Sequence, residues 1–290
     1  MFIATLIAPR GALDPALVDN LRNAWGGGDA RWLSPREAAE FDIVRSPENL
    51  EHTRAETKAM GVDLNVLPAK DRRKKMLLAD MDSTMIEQEC IDELAEEAGV
   101  GPHVRDITAR AMNGELDFEG ALLERVKLLE GLPETVITQV LEERITLAPG
   151  GRELVRTMQA SGAHCVLVSG GFTAFTSRVA TLLGFDENHA NTLLAADGRL
   201  TGDVARPVLG RKAKIRALSE ITAQRGICAV DVIAVGDGAN DLGMLHRAGI
   251  GVALHAKPAV AAQCDVRIDH GDLTALLYLQ GYTRNAFAPL

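Results

Sequence analysis

The chain has 290 residues, of which 47% are hydrophobic, 24% charged and only 4% aromatic, the make-up of a globular protein with an aliphatic core and room for one large domain or two smaller ones. A formal net charge of -9 argues against a nucleic-acid partner. No apolar run reaches transmembrane length, and the four cysteines (Cys90, Cys165, Cys228, Cys264) form no CxxC pair, which excludes a zinc ribbon or a thioredoxin motif and suits buried, reduced thiols.

In chain order, residues 2–7 read as a strand and 15–25 as a helix, with a glycine turn at 26–28. The opening MFIATLIAPR has no basic leader, so it is expected to be a strand and not a signal peptide, and a cytoplasmic protein is expected. Short strands follow near 31–33, 41–44 and 62–67, with a helix around 50–59. This is a small α+β domain over residues 1–72, without a convergent set of chemical residues. The basic cluster DRRKK at 71–75 reads as a linker or domain edge, and a charge run of this length is expected to be a solvated turn.

From residue 73 to 290 the pattern becomes α/β. Residues 75–80 (KMLLAD), 164–169 (HCVLVS), 231–237 (DVIAVGD) and 249–254 (GIGVAL) are short, apolar and rich in branched side chains, and helical segments separate them. A Rossmann-like parallel sheet covered by helices on both faces is expected. In such sheets ligands bind beyond the carboxyl ends of the strands, where Asp80, Ser169 and Asp237 stand. From about 86 to 147 only helices are expected, with breaks near 99–102, 113–114 and 131–133. This is a helical cap inserted between the first two strands of the sheet.

Three constellations and one lysine carry chemistry. In Asp80-Met81-Asp82-Ser83-Thr84 two carboxylates stand two residues apart at a strand end. One can attack phosphorus while the other donates a proton to the leaving oxygen, although the same string suits a polar loop in which Ser83 or Thr84 caps the next helix. Gly236-Asp237-Gly238-Ala239-Asn240-Asp241 can complete oxygen coordination of Mg²⁺, or it is a glycine turn in which Asn240 or Asp241 caps a helix. Ser169-Gly170-Gly171 can hold phosphate oxygens through a hydroxyl and backbone N–H groups, yet it suits any tight turn. Lys214 would add a fixed positive charge, although a helical lysine is ordinarily a surface residue. Gly249-Ile250-Gly251 looks like the start of a dinucleotide fingerprint, but Leu254 stands where the third glycine belongs.

In the order DxDST, SGG, Lys and GDGAND, the chain resembles the haloacid-dehalogenase superfamily, and within it the branch that hydrolyses O-phosphoserine. The resemblance covers residues 75–277 and rests on DMDSTMIEQECIDELAEEAGV, ITARAMNGELDFEGALLERVKLLEGLP, VSGGFTAF, LTGDV and AVGDGANDLGML. It implies Mg²⁺-dependent hydrolysis through an aspartyl-phosphate, as the last step of serine biosynthesis. Asp80 is then the nucleophile and a metal ligand. Asp82 is the general acid and then base, binding metal through its carbonyl. Asp237 is the further metal ligand, and Asp241 orients the metal shell and Lys214. Ser169, Gly170, Gly171, Lys214 and Asn240 hold the phosphoryl group. In the cap, Glu89 faces the substrate ammonium, Arg125 its carboxylate, and Met112 and Phe118 form apolar walls.

Some bacterial members of the superfamily carry ACT-like regions at the N-terminus, so residues 1–72 are expected to serve dimerisation or regulation, as in a homodimer. Two alternatives stand beside this reading. One is a relative acting on another small phosphorylated alcohol, such as phosphothreonine or a homoserine ester. The other is a regulatory binding protein without turnover, which the complete set of Asp80, Asp82, Lys214 and Asp237 argues against.

Overall fold

The computed structural model of the chain describes residues 1–112 and 115–289, with Met112 described in its backbone only. Strands β1 (Phe2–Ile7), β2 (Arg31–Ser34), β3 (Ala38–Ile43) and β4 (Asp63–Pro68), with helices α1 (Pro15–Ala24) and α2 (Leu50–Ala59), make an antiparallel sheet of order β2-β3-β1-β4. Two interleaved split βαβ units, each with a strand of the other between its own two, give this order. Asp14 starts α1 by accepting a hydrogen bond from Ala16 N at 2.9 Å, and Pro15 pre-sets the first helical turn. Ala4, Leu6, Phe41, Ile43 and Leu64 pack with Val18 on one face, while Ile7, Leu33 and Ala38 join the large core of the rest of the chain. Both faces of this sheet are therefore covered.

The second sheet holds β5 (Met76–Ala79), β6 (His164–Phe172), β7 (Glu187–Asn191), β10 (Val232–Gly236), β11 (Ile250–Leu254) and β12 (Val266–Ile268). Its order is β12-β11-β10-β5-β6-β7, with every pair parallel. Alternate residues feed opposite layers, as the pleat requires. Leu77, Ala79, Cys165, Leu167, Ile233 and Val235 face the core formed with α7 (Gly151–Ala160), α8 (Thr173–Leu183) and α12 (Ala275–Leu279). Met76, Leu78, Val166, Val168, Val232 and Ala234 face α9 (Arg211–Arg225), α10 (Leu242–Leu245) and α11 (Pro258–Ala261). Burial on both faces is why these strands read as unbroken apolar runs.

Four helices, α3 (Cys90–Glu97), α4 (Gly101–Met112), α5 (Phe118–Lys127) and α6 (Val136–Glu143), form the insertion between β5 and β6. Its two ends meet in an antiparallel bridge, Ile86 to Leu147. The expected break at 113–114 lies outside the described residues. Four strands were not expected: the short edge strands β7 and β12, and the two of the hairpin, β8 (Leu193–Ala196) and β9 (Arg199–Val204). The edge strands are polar or only three residues long, so they carry little apolar signal. The hairpin turns on Asp197 and Gly198, both at positive φ, the ordinary two-residue turn for such a pair. Hydrogen bonds from Gly131 N to Leu200 O (2.8 Å), Leu200 N to Leu132 O (2.9 Å) and Arg199 Nη1 to Gly131 O (2.7 Å) stitch it to the cap.

The basic cluster at 71–75 is not simply a solvated turn. Lys74 is buried and Arg72 half-buried. The Arg72 guanidinium donates to Glu40 Oε2 (2.7 Å) and Leu279 O (3.0 Å), and Lys74 Nζ donates to Asp71 O (2.7 Å) and Val230 O (2.9 Å). A charged side chain can be buried when its donors all find oxygens, and here the alternate cations of the run clamp the first sheet to the second. Asn65 adds a side-chain rung along the β12 edge, donating to Arg267 O at 2.8 Å and accepting from Arg267 N at 3.0 Å. Among the described residues no helix is long and apolar enough to cross a membrane.

The glycines at 249 and 251 have a packing cause. A Cβ on Gly251 would lie 2.0 Å from Leu245 O, and one on Gly249 2.0 Å from Val230 O. Because the obstacle is backbone, Gly251→Ala is expected to destabilise the fold by about 1–3 kcal/mol, read as a lower urea midpoint at unchanged slope. An unchanged midpoint would show that the approach is not tight.

Candidate active site

Strands β10, β5 and β6 are neighbours, and their carboxyl ends deliver Asp237, Asp80 and Ser169 to one place. Asp80 follows the last residue of β5 and is tied down through its N–H to Val235 O at 3.0 Å. Lys214, on the second turn of α9, is 2% exposed. It is not a surface residue: its Nζ lies 2.5 Å from Asp80 Oδ1 and 2.6 Å from Asp241 Oδ1. Asp241 is fully buried and also accepts from Gly238 N at 3.0 Å. It precedes α10 but makes no side-chain cap, because its carboxylate is engaged with Lys214. Gly236 is required here, since a Cβ would sit 2.4 Å from Asp241 Cγ.

The other half of the DxD motif points elsewhere. Asp82 Oδ1 accepts from Cys90 N at 2.8 Å, and its Oδ2 accepts from the Ser169 hydroxyl at 2.9 Å. Ser169 Oγ in turn accepts from Gly171 N at 2.8 Å. Neither Ser83 nor Thr84 caps a helix. Ser83, at φ 53°, donates to Glu89 Oε1 at 2.7 Å, and Thr84 donates to Asp237 Oδ1 at 3.4 Å. Both hydroxyls therefore orient carboxylates at the site. Thr108 was also not anticipated: it accepts from Arg125 Nη1 at 2.9 Å and donates to Asp92 Oδ1 at 2.6 Å. A threonine inside a helix gives no sequence signal for such a role.

One oxygen from each of Asp80, Asp237 and Asp241 lies within 4.8 Å of the others, and all three residues are buried. Burial, then the Asp241 carboxylate, pushes the Asp80 carboxyl well above the usual range, and burial with Glu89 and its aspartate neighbours does the same to Asp237. Burial alone would lower Lys214, but Asp241 and Asp80 more than offset it and hold the ammonium charged. One ammonium against three carboxylates leaves surplus negative charge, and the all-oxygen donor set is the kind that hard divalent cations take. The residues present therefore fit a metal ion. Asp241 stands inside this carboxylate group as well as beside Lys214, while the Asp82 carboxylate stands outside it.

A cavity that reaches this group at Asp80 is lined by Asp80, Asp82, Glu89, Phe118, Leu122, Arg125, Gly170 and Asn240, and its free volume is about 20 Å³. That is the room of a water or two. Arg125 is 2% exposed, donates to Ala121 O (3.1 Å) and Thr108, and forms no ion pair among the described residues. Burial pushes the Glu89 carboxyl up to about 8, with the Asp82 carboxylate adding to the shift. Asn240 Oδ1 is buried without a hydrogen-bond partner among the described residues, an unsatisfied polar atom on a residue that lines the cavity. The Phe118 ring packs on Gly170 and Gly210, where a Cβ would come within 2.5 and 2.8 Å of it. It separates the cavity from an outer cleft of about 510 Å³. The side chain of Met112 lies outside the described residues.

The haloacid dehalogenase-like hydrolase family matches residues 77–246. A phosphoserine phosphatase of Archaeoglobus fulgidus is 42% identical over 246 residues, 84% of this chain and 69% of that protein. One from Streptomyces coelicolor is 43% identical over 231 residues, and the chain covers 56% of that protein's length. Among solved structures, a haloacid dehalogenase family hydrolase of Salmonella enterica superposes with a TM-score of 0.85 at 30% identity, over 96% of this chain and 98% of that one. A substrate-bound phosphoserine phosphatase complex superposes with a TM-score of 0.68 at 41% identity, over 71% of this chain and 98% of that one.

Proposed function

The chain belongs to the haloacid dehalogenase-like hydrolases and is a phosphatase of that family, and from that premise we propose that its substrate is O-phosphoserine, cleaved to serine and phosphate through a phosphoryl group carried on Asp80. The observation that carries the choice of substrate is the pairing of Glu89 with Arg125. One cavity holds both, together with Asp80 and Asp82. Arg125 is a buried guanidinium without an ion-pair partner among the described residues. Glu89 is a carboxyl whose ionisation burial opposes. A free amino acid brings a carboxylate to the first and an ammonium to the second, and so satisfies both.

Asp80 attacks phosphorus as the bond to the seryl oxygen breaks, and Asp82 passes its proton to that oxygen. Water then attacks the phosphoryl group, giving a proton to Asp82 as the bond to Asp80 breaks. The hydrogen bonds from Cys90 N and Ser169 Oγ, which fix the two oxygens of Asp82, support this role. Charge that develops on the phosphoryl oxygens meets Lys214 and the Gly170 N–H, and the Ser169 hydroxyl and Gly171 N–H turn to it from Asp82 and Ser169 when substrate enters. Mg²⁺, held by Asp80, Asp237 and the Asp82 carbonyl with Asp241 beside them, would supply Lewis-acid neutralisation of the same charge. Substrate enters by displacement of the Phe118 ring, since the closed cavity holds only a water or two.

The test separates the amino-acid end from the phosphoryl end. Arg125→Ala is expected to raise KM for phosphoserine about 10- to 100-fold and to leave KM for p-nitrophenyl phosphate within about twofold. Equal losses on both substrates would remove Arg125 from the reading of the carboxylate.

A further inference from the structure

Asn191 ends β7 and is 2% exposed. Its side-chain amide makes three hydrogen bonds to backbone on opposite sides of the active site. Nδ2 donates to Gly170 O at 2.8 Å and to Leu209 O at 3.0 Å, and Oδ1 accepts from Leu209 N at 2.7 Å. Two donors and an acceptor is the inventory of a carboxamide, and only one orientation of the amide satisfies all three partners.

Each partner sits at a place that ordinary secondary structure leaves loose. β6 pairs with β7 at Val168↔His189 and next at Phe172↔Asn191, so residues 169–171 of β6 stand against Ala190 alone. The phosphate loop is thus a bulge whose ladder is interrupted, and Asn191 takes up the Gly170 carbonyl at its centre. On the other side, α9 begins after Gly210 without a side-chain cap. Asn191 holds both backbone groups of Leu209, one residue earlier. Lys214 follows within the first turn and a half, with its N–H on Gly210 O at 3.3 Å. The Phe118 ring rests on Gly170 and Gly210, so it closes over the gap that Asn191 bridges.

We propose that Asn191 is a positioning residue, which sets the spacing between the phosphate loop and the start of α9 and thereby lets Ser169 and Lys214 reach one phosphoryl group together. The inference rests on the roles proposed above for Ser169 and Lys214. It concerns the phosphoryl end of the substrate, so it predicts an effect that ignores the rest of the molecule.

In Asn191→Asp, one carboxylate oxygen replaces Nδ2 with its two N–H donors and faces two carbonyl oxygens, while the other still accepts from Leu209 N. In Asn191→Ser a hydroxyl keeps at most one of the donor contacts. A displacement of the cradle by about 1 Å is worth on the order of 10²-fold in rate. The expected result is a kcat reduced by about that factor in the Asp variant, for phosphoserine and p-nitrophenyl phosphate alike, with KM for phosphoserine within about threefold. The Ser variant should lie between it and the wild type, and it carries the comparison if the Asp variant does not fold. Inorganic phosphate should protect both variants against thermal unfolding less than it protects the wild type. A lowered melting temperature with kcat unchanged would make Asn191 purely structural and overturn the proposal. A loss confined to phosphoserine would overturn it too, by placing the effect on the cap. Wild-type protein without turnover of either ester would instead sink the phosphatase roles on which it rests.

Discussion

Asp80→Asn is expected to abolish phosphate release, with a loss on the order of 10⁶-fold in kcat, the scale that follows deletion of a covalent nucleophile. The amide keeps the shape of the carboxylate and retains an oxygen for Lys214 Nζ, which lies 2.5 Å from Asp80 Oδ1, but an amide cannot accept and release a phosphoryl group. The fold should survive the change. Asp80, Asp237 and Asp241 are crowded within 4.8 Å, and removing one negative charge relieves repulsion that Lys214 only partly balances. The variant should therefore melt no lower than the wild type in the absence of added metal, as happens where a site is held under strain for function. Loss of activity together with loss of structure would leave the nucleophile unproved, so the melting curve belongs to the same experiment. Retained turnover would exclude a phosphoryl group on Asp80.

Lys214→Met should fail in both respects. The methionine fills much of the same space, but it leaves Asp80 and Asp241 buried without the ammonium that contacts both. Removing one partner of a buried ion pair costs about 3–5 kcal/mol, most of it the burden of the charges left behind. Catalysis should also fall by roughly 10²- to 10³-fold, as for the loss of one donor aimed at transition-state charge. The contrast with Asp80→Asn is the informative part. One substitution removes a surplus charge and spares stability, whereas the other removes the balancing charge and lowers it. Equal melting temperatures for the two variants would contradict the electrostatic account of the site.

The chain was legible where the physics is local. Strands buried on both faces announce themselves as apolar runs, and the residue after each run, Asp80 or Asp237, falls where a parallel sheet gathers its ligands. The cap was legible as a stretch without strands, and its ends do meet, at Ile86 and Leu147. What escaped depends on tertiary partners. The strand ENHAN at Glu187–Asn191 is polar because it lies at an edge, so neither the strand nor the placement of Asn191 at its end could be read. Arg72 and Lys74 looked like solvent charges because the oxygens that receive them, on Glu40, Leu279 and Val230, are distant in sequence. Ser83, Thr84 and Thr108 have the composition of caps and helix surface, and only the folded chain shows each hydroxyl turned to a carboxylate or to Arg125.

On the proposed function, the cap contacts would let one site combine a general phosphatase centre with a selective one. The sheet supplies the carboxylates, Lys214 and the phosphate loop, while α3 and α5 bring Glu89 and Arg125 over them. On that proposal, selectivity would lie in two opposite charges at fixed places in a closed cavity. A hydroxyl or methyl added to the alcohol changes little of that recognition, but loss of either charge changes much.

The most direct measurement is phosphate release by the wild-type protein over a panel of phosphoserine, phosphothreonine, p-nitrophenyl phosphate and sugar phosphates, each with Mg²⁺ and with EDTA. The account predicts that phosphoserine has the highest kcat/KM, that phosphothreonine follows it, that esters lacking the ammonium and carboxylate trail both, and that EDTA silences all of them. A sugar phosphate turned over faster than phosphoserine, or activity undiminished by EDTA, would contradict it.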